Sequence, residues 1–261
     1  MDEYLYGREL LFEELPLSLQ QTIKIDKGHQ VAQTASYDEK AGRKYCKRCQ
    51  HEFVKVDKNA CICGNPCGYC RNCLKMGKVR LCSKFYSLAE PNYFKRDAKH
   101  LFAWEGTLSA QQTEASKQIV QSIKNVETRL LWAVTGAGKT EMLFEGIYDA
   151  LNHKKRVCIA SPRIDVCLEL APRLRRAFPQ TAISLLYGGM EEPYKYTQLV
   201  IATTHQLFRF KEAFDVLIID EIDAFPFHSD RSLHFAANKA KKKKATVIYL
   251  SATPSRAMQK Q

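Results

Sequence analysis

The stretch Leu130–Thr140, Leu-Leu-Trp-Ala-Val-Thr-Gly-Ala-Gly-Lys-Thr, constrains the fold more than any other part of this sequence. Its apolar start predicts a buried strand, its glycines a tight turn, and its end a helix beginning at about Lys139. Gly136 and Gly138 lack a Cβ, so the backbone can turn sharply and bring its N–H groups close to an anion. The helix N-terminus adds the positive end of its dipole. This pattern is typical of a phosphate-binding loop.

The residue types in this loop suit a nucleoside triphosphate bound with a divalent cation. Lys139 is expected to contact the β- and γ-phosphates, and the Thr140 hydroxyl is expected to hold Mg²⁺. Ala133 stands where the usual pattern has its first glycine, as it does in helicase-type loops. The predicted cofactors are therefore ATP and Mg²⁺. The candidate nucleotide-binding residues of the loop are Thr135, Gly136, Ala137, Gly138, Lys139 and Thr140.

The residues after the loop alternate between helical and extended patterns. Helices are predicted at 141–152, 165–178 and 229–242, a helix or turn at 205–214, and strands at 130–134, 156–160, 182–186, 199–202, 216–220 and 246–250. Continuous apolar strands between helices predict an α/β fold with a parallel sheet covered on both faces. Lys241–Lys244 is predicted to form the solvated end of the last helix.

A second apolar strand pattern, Val216–Ile219, ends in the two carboxylates Asp220 and Glu221. In a parallel sheet this strand end lies beside the phosphate loop. Asp220 is expected to hold Mg²⁺ through water, and Glu221 to orient or polarise the attacking water. The candidate catalytic residues are therefore Lys139, Asp220 and Glu221. Asp223 is a weaker candidate, because a carboxylate there can simply cap or bridge locally.

Gln112 has two interpretations. It lies at the start of a predicted helix whose apolar residues follow a helical stripe after Ser109. Ser109 and Gln112 match a capping box, with serine at the N-cap and glutamine at the third helical position. Gln112 therefore caps this helix or hydrogen-bonds an adenine edge, and the local sequence favours capping.

Eight of the ten cysteines lie within residues 45–82, a density that favours metal binding over disulfides in a reducing compartment. Cys46-x₂-Cys49 and Cys70-x₂-Cys73 are separated by 20 residues, which is the spacing of a four-cysteine zinc ribbon. The predicted cofactors therefore include Zn²⁺. The remaining cysteines of this segment complete a second zinc site or are free thiols packed as small hydrophobes; they are Cys61, Cys63, Cys67 and Cys82.

The net charge of +12 is spread unevenly: residues 1–40 carry −4 and residues 41–100 carry +10. Aromatic residues interleave with the basic ones, a mixture that suits binding of single-stranded DNA; the alternative is a basic zinc ribbon with a purely structural role.

No apolar run approaches the roughly 18 residues of a membrane span, and the acidic N-terminus lacks a signal-peptide core, which predicts a cytosolic protein. The N-terminal residues predict a short helix before Pro16, within an arm that docks on the chain or binds a partner.

Four further motifs resemble those of superfamily 2 helicases. Ser161-Pro162-Arg163 resembles motif Ia, Thr203-Thr204-His205-Gln206 motif Ib, Ser251-Ala252-Thr253 motif III, and Tyr187-Gly188-Gly189 the glycine pair between them. This resemblance implies a RecA-like lobe, and it makes Gln112 an adenine contact. It implies nucleic-acid contacts at Arg163, Gly188, Gly189, Thr203, Thr204, Ser251 and Thr253.

The cysteine pairs before the lobe, followed by Trp-Ala-Val-Thr-Gly-Ala-Gly-Lys-Thr-Glu-Met-Leu-Phe, Leu-Tyr-Gly-Gly and Asp-Glu-Ile-Asp-Ala-Phe-Pro, resemble the ComFA family of transformable Gram-positive bacteria. The resemblance covers roughly residues 40–261. It implies a DNA-stimulated ATPase at the inner face of the membrane that helps draw single-stranded DNA through an uptake channel. The implied partners are a phosphoribosyltransferase-like late competence protein (ComFC-like) and a DNA-processing protein that loads recombinase (DprA-like).

The predicted parts are an N-terminal arm (1–40), a cysteine-rich zinc module (41–83), a linker (84–107) and a helicase lobe 1 (108–261). Motifs IV to VI, with their arginine fingers, are absent from this sequence, so the resemblance implies an N-terminal half that binds nucleotide and turns it over slowly. One alternative is a primosomal restart helicase, in which the zinc module lies within the second lobe. Another is a zinc-ribbon DNA-binding scaffold with a switch-like nucleotide lobe.

Overall fold

The structure is a computed structural model and describes residues 2–25, 31–54, 61, 63–65, 67–94, 102–134, 136–190 and 192–253. Its strands are β1 (Glu9–Leu11), β2 (Ala32–Ala35), β3 (Tyr37–Lys40), β4 (Arg43–Cys46), β5 (Lys84–Ser87), β6 (Thr128–Trp132), β7 (Val157–Ser161), β8 (Ile183–Leu186), β9 (Leu199–Thr203), β10 (Phe214–Ile219) and β11 (Lys241–Ser251). Its α-helices are α1 (Leu17–Ile25), α2 (Ala110–Asn125), α3 (Lys139–Asn152), α4 (Ile164–Ala177) and α5 (Arg231–Ala240). Short 3₁₀ helices lie at Asp2–Tyr4, Phe12–Glu14, Leu74–Met76 and Thr204–Arg209.

Within the described residues, six strands form one sheet in the order β6-β11-β10-β7-β9-β8, and every neighbouring pair is parallel. The carboxyl ends of all six strands therefore meet at one edge. The phosphate loop follows β6, Arg163 follows β7, Thr203 ends β9, Asp220 follows β10, and Ser251 ends β11. The predicted α/β fold with a parallel sheet is confirmed, and one edge of that sheet gathers the predicted motifs.

Each central strand sends alternate side chains into two separate cores. On β10, Val216 and Ile218 belong to the core that contains α2, α3 and α4, whereas Leu217 and Ile219 belong to the core on the opposite face. That opposite core also contains α5 and the cysteine-rich segment, including the buried Cys46. The cysteine-rich segment is therefore packed into the same core as one face of the sheet.

A buried arginine, Arg48, and two partly buried charged groups tie the N-terminal segment and the cysteine-rich segment to the lobe. Arg48 Nη2 donates to Glu14 Oε2, and the Arg209 Nε donates to Glu14 Oε1 at 3.1 Å. Arg209 Nη2 also donates to the Met76 carbonyl at 3.2 Å. Losing one member of such a network leaves a buried charge without a partner, so these contacts hold the three parts in one arrangement. The arm docks on the rest of the chain, as one of its two interpretations predicted.

The short helix predicted before Pro16 is present as single 3₁₀ turns at Asp2–Tyr4 and Phe12–Glu14, whereas the α-helix of this segment, α1, begins after this residue, at Leu17. Proline has no backbone N–H to donate and fits best at the start of a helix. Of the preceding residues, Glu9–Leu11 form β1, which pairs antiparallel with β5 from Glu9↔Ser87 to Leu11↔Phe85. Pairing with β5 gives these backbone groups hydrogen bonds that a short isolated helix would have had to provide alone.

The helical end predicted at Lys241–Lys244 is wrong, because α5 ends at Ala240 and these lysines begin β11. The first of them is opposite Phe214 in the parallel pairing of β10 with β11. Lys242 Nζ lies 2.9 Å from Asp215 Oδ1, so one lysine of the run has a specific carboxylate partner. Strand pairing and this ion pair outweigh the helical tendency of a lysine run.

The predicted boundaries between arm, zinc module, linker and lobe stay a prediction. Within the described residues, a sheet of order β1-β5-β2 joins parts of the predicted arm with the start of the predicted linker. The hairpin of β3 and β4 leads into the first cysteine pair. None of the helices in the described residues is both long enough and apolar enough to span a membrane.

Candidate functional site

The phosphate loop has the backbone geometry that its glycines allow. Gly136 has φ +80° and Gly138 has φ +73°, and α3 begins directly afterwards at Lys139. Such left-handed conformations favour glycine because a Cβ would clash with the backbone. The predicted helix start at Lys139 is confirmed, and the free N–H groups of its first turn open towards the strand-end edge. Thr135 lies outside the described residues.

Gln112 forms the predicted capping box and also contacts the phosphate loop. The Ser109 N–H donates to Gln112 Oε1 at 2.7 Å, and the Gln112 N–H donates to Ser109 Oγ at 3.3 Å. Gln112 Nε2 donates to the Ala137 carbonyl at 2.9 Å. A Cβ placed on Gly138 would lie 2.6 Å from Gln112 Nε2, so a side chain at this position would displace the Gln112 amide. The capping interpretation is confirmed, and the adenine contact stays a prediction.

Asp220 and Glu221 lie at the carboxyl end of β10, beside the loop. The Asp220 N–H donates to the Ala160 carbonyl at 2.8 Å, and the Glu221 N–H donates to Asp220 Oδ1 at 2.8 Å. Burial raises the pKa of Asp220, and the nearby Lys139 ammonium opposes that rise. Burial also raises the pKa of Glu221, which has a left-handed backbone with φ +51°.

Glu221 Oε2 is buried and has no hydrogen-bond partner among the described residues. Its nearest cation is Arg163, whose Nε lies 3.8 Å away. Arg163 donates instead to Asp165, through Nε at 3.2 Å and through Nη2. A buried carboxylate oxygen without a donor is rare, because its desolvation is not compensated. Glu221 therefore has an acceptor available for a ligand such as water.

The segment Ser251–Thr253 is hydrogen-bonded to the loop after β10. Thr253 Oγ1 donates to Asp223 Oδ2, and the Thr253 N–H donates to Ser251 Oγ at 3.1 Å. Trp132 Nε1, at the end of β6, donates to the Ala252 carbonyl at 3.2 Å. Asp223 and Thr253 are thirty residues apart in the sequence. Asp223 therefore makes a long-range contact, and not only the local cap or bridge that the sequence indicated.

A cleft of about 810 Å³ lies over this edge of the sheet. The predicted residues that line it are Gly136, Gly138, Lys139, Thr140, Arg163, Asp220, Glu221 and Thr253. Arg173 of α4 also lines it and pairs with Glu141 and with Glu169, the latter at 3.3 Å. No motif predicted Arg173, although its spacing of four from Glu169 on one helix was a visible signal.

The other predicted nucleic-acid residues lie elsewhere along this face. Gly188 and Gly189 line a second cleft, between the lobe and the cysteine-rich segment. Thr203 is 5% exposed and Thr204 is fully buried, so their side chains do not face solvent. Thr204 Oγ1 has no hydrogen-bond partner among the described residues. Their assignment as nucleic-acid contacts stays a prediction.

The eight clustered cysteines form two groups that could each hold a metal ion. Cys46, Cys49, Cys70 and Cys73 are all buried, and their sulfur atoms lie within 4.8 Å of one another. Within this set, Cys46 Sγ is 3.8 Å from Cys73 Sγ, and Cys49 Sγ is 3.3 Å from Cys70 Sγ. Four sulfurs around a tetrahedral zinc with bonds of about 2.3 Å would be about 3.8 Å apart. The donor set and its spacing therefore fit a tetrahedral, thiolate-preferring metal.

The second group is formed by Cys61, Cys63, Cys67 and Cys82, whose sulfur atoms also lie within 4.8 Å of one another. Cys61 Sγ is 3.6 Å from Cys82 Sγ, too far for a disulfide and close to a tetrahedral edge. Unlike the first group, this one is partly solvent-exposed. All eight thiols are free, and the second group is also spaced as metal ligands would be.

Comparison with known proteins places the chain among helicase-type proteins. Residues 105–256 match the family described as "Type III restriction enzyme, res subunit", and residues 1–87 match "Competence protein ComFA N-terminal domain". Competence protein ComFA of Bacillus subtilis (strain 168) is 43% identical over 260 residues, which are 100% of this chain and 56% of that protein. Competence protein ComFA of Streptococcus pneumoniae is 39% identical over 84% of this chain and 49% of that protein.

The chain spans about half the length of the curated relatives it matches. Replication restart protein PriA of Helicobacter pylori is 29% identical over 57% of this chain and 26% of that protein, a weaker and shorter match. The resemblance to ComFA proteins is thus confirmed over both the cysteine-rich part and the lobe. The chain belongs to the helicase-type family described as "Type III restriction enzyme, res subunit", and its homologues at 43% and 39% identity are the competence proteins named ComFA.

Proposed function

We propose that this chain is the ATP-binding part of a motor that hydrolyses ATP and moves single-stranded DNA during uptake of transforming DNA. The observation that carries the proposal is the 810 Å³ cleft, in which the phosphate loop, the strand-end carboxylates and Thr253 come together. The ComFA names of the relatives support the link to competence. In open sheets of parallel strands, ligands bind outside the carboxyl ends of the strands, which is where this cleft lies.

In this proposal each polar group of the cleft has a separate task. Lys139 neutralises the β- and γ-phosphates, with the N–H groups of the loop and of the first turn of α3. The Thr140 hydroxyl and the Asp220 carboxylate would hold Mg²⁺, which when bound neutralises charge developing on the phosphates. Glu221, whose Oε2 has no hydrogen-bond partner among the described residues, orients and polarises the attacking water. Gln112 contributes by bracing the loop at Ala137 and, as a further proposal, by contacting adenine.

Two contacts in the cleft support coupling between nucleotide and DNA. Thr253 of the motif III-like segment donates to Asp223, three residues after the Mg²⁺-binding candidate Asp220. Arg163, a candidate phosphate contact, lies 3.8 Å from Glu221. A strand of DNA that engages Arg163 or Ser251–Thr253 would therefore change the surroundings of the hydrolytic carboxylates. Coupling of this kind requires contacts that differ between the two states.

We propose that both cysteine groups bind Zn²⁺, the tetrahedral ion that four thiolates favour. The buried group lies in the core shared with the lobe, so its metal would stabilise the docked arrangement. We further propose, from the ComFA relationship, association with a phosphoribosyltransferase-like late competence protein, with a DprA-like recombinase loader and with the membrane uptake channel. The cytosolic face of the membrane is the place where those partners would meet.

Replacing Lys139 with alanine should weaken ATP·Mg²⁺ binding by a polypeptide of residues 1–261 by roughly 10- to 150-fold, the value of one charge-assisted hydrogen bond of about 1.5 to 3 kcal/mol. Isothermal titration with a non-hydrolysable ATP analogue measures this change. Lys124→Ala, on the exposed end of α2, is the matched control and should bind as the unmodified chain does. Equal affinity in Lys139→Ala and the control would contradict the assignment of this cleft.

Binding of single-stranded DNA should weaken steeply with salt, because neutralised phosphates release counterions with a slope of about −0.7 each in a plot of log affinity against log salt. Arg163→Ala should weaken binding of all sequences alike and make the slope shallower by about 0.7. Fluorescence anisotropy over a salt series gives both quantities. The matched control is Arg176→Ala, because Arg176 is an exposed arginine on α4, the helix that follows Arg163, and this variant should leave the slope unchanged. A salt-independent affinity would rule out phosphate contacts as the basis of binding.

A further inference from the structure

Arg8 is a buried cation for which the described residues supply no acidic partner. The residue is 6% exposed, and its guanidinium lies 4.5 Å from the ring centre of Tyr4 and 4.0 Å from that of Tyr194. Nη1 donates to the Tyr4 carbonyl at 3.3 Å, whereas Nε has no hydrogen-bond partner among the described residues. Aromatic faces offset only part of the cost of burying a charge, so this arrangement is incomplete without an anion.

The two fully buried arginines of the structure differ from Arg8 in this respect. Arg48 donates to Glu14, and Arg156 donates to Glu90, so each buried guanidinium has a carboxylate. Pairing of this kind is the usual condition for burying a charge. The missing carboxylate at Arg8 therefore points to a ligand that brings its own negative charge.

Arg8 lines a cleft of about 480 Å³ to which three parts of the chain contribute. The N-terminal segment contributes Arg8, the cysteine-rich segment contributes Lys75, and the lobe contributes Gly188, Gly189 and Arg209. Lys75 is exposed and makes no ion pair within the described residues. Two carboxylates also line the cleft: Glu14, which already binds Arg48 and Arg209, and the exposed Glu192.

The glycine pair leaves space for a ligand to reach the backbone in this cleft. A Cβ placed on Gly188 or on Gly189 would meet no atom within 4 Å, so the backbone there faces open space. Gly189 has φ +83°, a conformation that suits glycine and can turn its N–H towards an anion. Backbone N–H groups and guanidinium groups together are a common way of binding a phosphate.

We propose that this cleft binds a phosphodiester of single-stranded DNA, held by Arg8, Lys75 and the backbone of Gly188–Gly189. The N-terminal segment and the cysteine-rich segment then extend the DNA path beyond the strand-end motifs of the lobe. The inference rests on the proposed function, because it assumes that DNA runs along this face. It adds a contact surface made jointly by three parts of the chain, which explains why the cysteine-rich segment is fixed against the lobe.

The test measures binding of a fluorescein-labelled oligothymidylate to residues 1–261 by anisotropy over a salt series. Lys75→Ala should weaken binding about fivefold at 0.1 M salt and make the salt slope shallower by about 0.7, the contribution of one phosphate. Lys84→Ala is the matched control, because Lys84 is an exposed lysine on β5 that does not line the cleft, and it should change neither quantity.

Three further variants separate a DNA contact from a structural role. Gly188→Ala adds a methyl group in open space, so folding should be unaffected while the approach of a phosphate is blocked. The double variant Lys75→Ala/Gly188→Ala should lose less affinity than the two single losses combined, because both changes disrupt one contact region. Arg8→Met keeps an apolar stem between the two tyrosines and should also weaken binding. If Arg8→Met fails to fold, the two surface variants still decide the question.

Three results would overturn the inference, and they differ from failure of the proposed function. Wild-type affinity in Lys75→Ala, Gly188→Ala and Arg8→Met, with weakened binding in Arg163→Ala, would confine DNA to the strand-end motifs of the lobe and exclude this cleft. Strict additivity in the double variant would place the two residues at separate contacts. Inorganic phosphate that displaces oligothymidylate at equal phosphate concentration would identify a small-anion site instead. Absence of any DNA binding by the unmodified chain would refute the proposed function itself.

Discussion

Replacing Glu221 with glutamine should lower the rate of ATP hydrolysis by roughly 10²- to 10⁴-fold, the usual contribution of a general base. Binding of ATP·Mg²⁺ should stay unchanged, because glutamine keeps the size of the side chain and Lys139 and Asp220 remain. The structural basis is Glu221 Oε2, a buried acceptor with no hydrogen-bond partner among the described residues, at the edge where β10 ends. Phosphate release under single-turnover conditions, together with analogue binding, separates the two effects.

The control for this variant is Glu169→Gln, which makes the same chemical change in the same cleft. Glu169 pairs with Arg173 on α4 and is largely exposed. The Glu169→Gln variant should therefore hydrolyse ATP at the same rate as the unmodified protein. Equal losses in both variants would show a general electrostatic effect of the cleft and contradict a specific role for Glu221. Loss of nucleotide affinity in Glu221→Gln would indicate a binding role.

The pH dependence of hydrolysis provides a second check on Glu221. A general base acts in its deprotonated form, so activity should fall as the pH decreases through its pKa. Burial raises the pKa of Glu221, so this acidic limb should lie above the ordinary range of a glutamate. The glutamine variant cannot titrate at this position, and its residual activity should lack the limb.

Much of the nucleotide site could be predicted because its parts are short and continuous in sequence. The turn at Gly136 and Gly138, the helix start at Lys139 and the carboxylates after β10 each follow from a handful of neighbouring residues. Their assembly also follows, since parallel strands bring all their carboxyl ends to one edge. The Ser109–Gln112 cap could be predicted for the same reason, because both partners lie in one turn.

The features that sequence patterns missed depend on partners far along the chain. Lys242 pairs with Asp215, and β11 pairs with β10. Together these two interactions hold the lysine run in a strand, although its local sequence favoured a helix. Asp223 receives its hydrogen bond from Thr253, which no local pattern connects to it. Glu14 forms ion pairs with both Arg48 and Arg209, and these three residues come from three separate segments of the chain. Periodicity and capping rules carry no information on such pairs.

Burial was equally difficult to predict from motif resemblance. Thr203 ends β9 and Thr204 begins the 3₁₀ helix after it, where the resemblance placed nucleic-acid contacts, yet both side chains are buried. Arg8 shows the opposite case, because an N-terminal arginine with no motif around it becomes a buried charge at a cleft. In both cases the packing of a distant segment, rather than local composition, decides what a ligand can reach.

The cysteine groups give the largest expected change in stability. Structural zinc contributes roughly 10 to 16 kcal/mol of apparent binding free energy in small zinc domains, and that energy is available only to the folded state. Cys73→Ser should therefore remove one equivalent of zinc and lower the melting temperature of the cysteine-rich segment. Because Cys73 lies in the core shared with Phe208 and Phe210 of the lobe, the variant should also loosen the contact between Arg48 and Glu14. Elemental analysis and hydrogen exchange measure these effects.

Cys82→Ser is the matched comparison, since it makes the same substitution in the partly exposed group. Cys82→Ser should also remove one equivalent of zinc. The increase in hydrogen exchange should stay near the second cysteine group, because that group does not share the core of the lobe. In Cys73→Ser the opposite core of the lobe, which contains residues of α2, α3 and α4, should stay protected, since none of the eight clustered cysteines belongs to it. Full zinc content in a Cys46/Cys49/Cys70/Cys73 quadruple serine variant would refute the buried site. An unchanged zinc content in Cys82→Ser would show that the partly exposed cysteines are free thiols. The protein would then bind a single zinc ion, at the buried group.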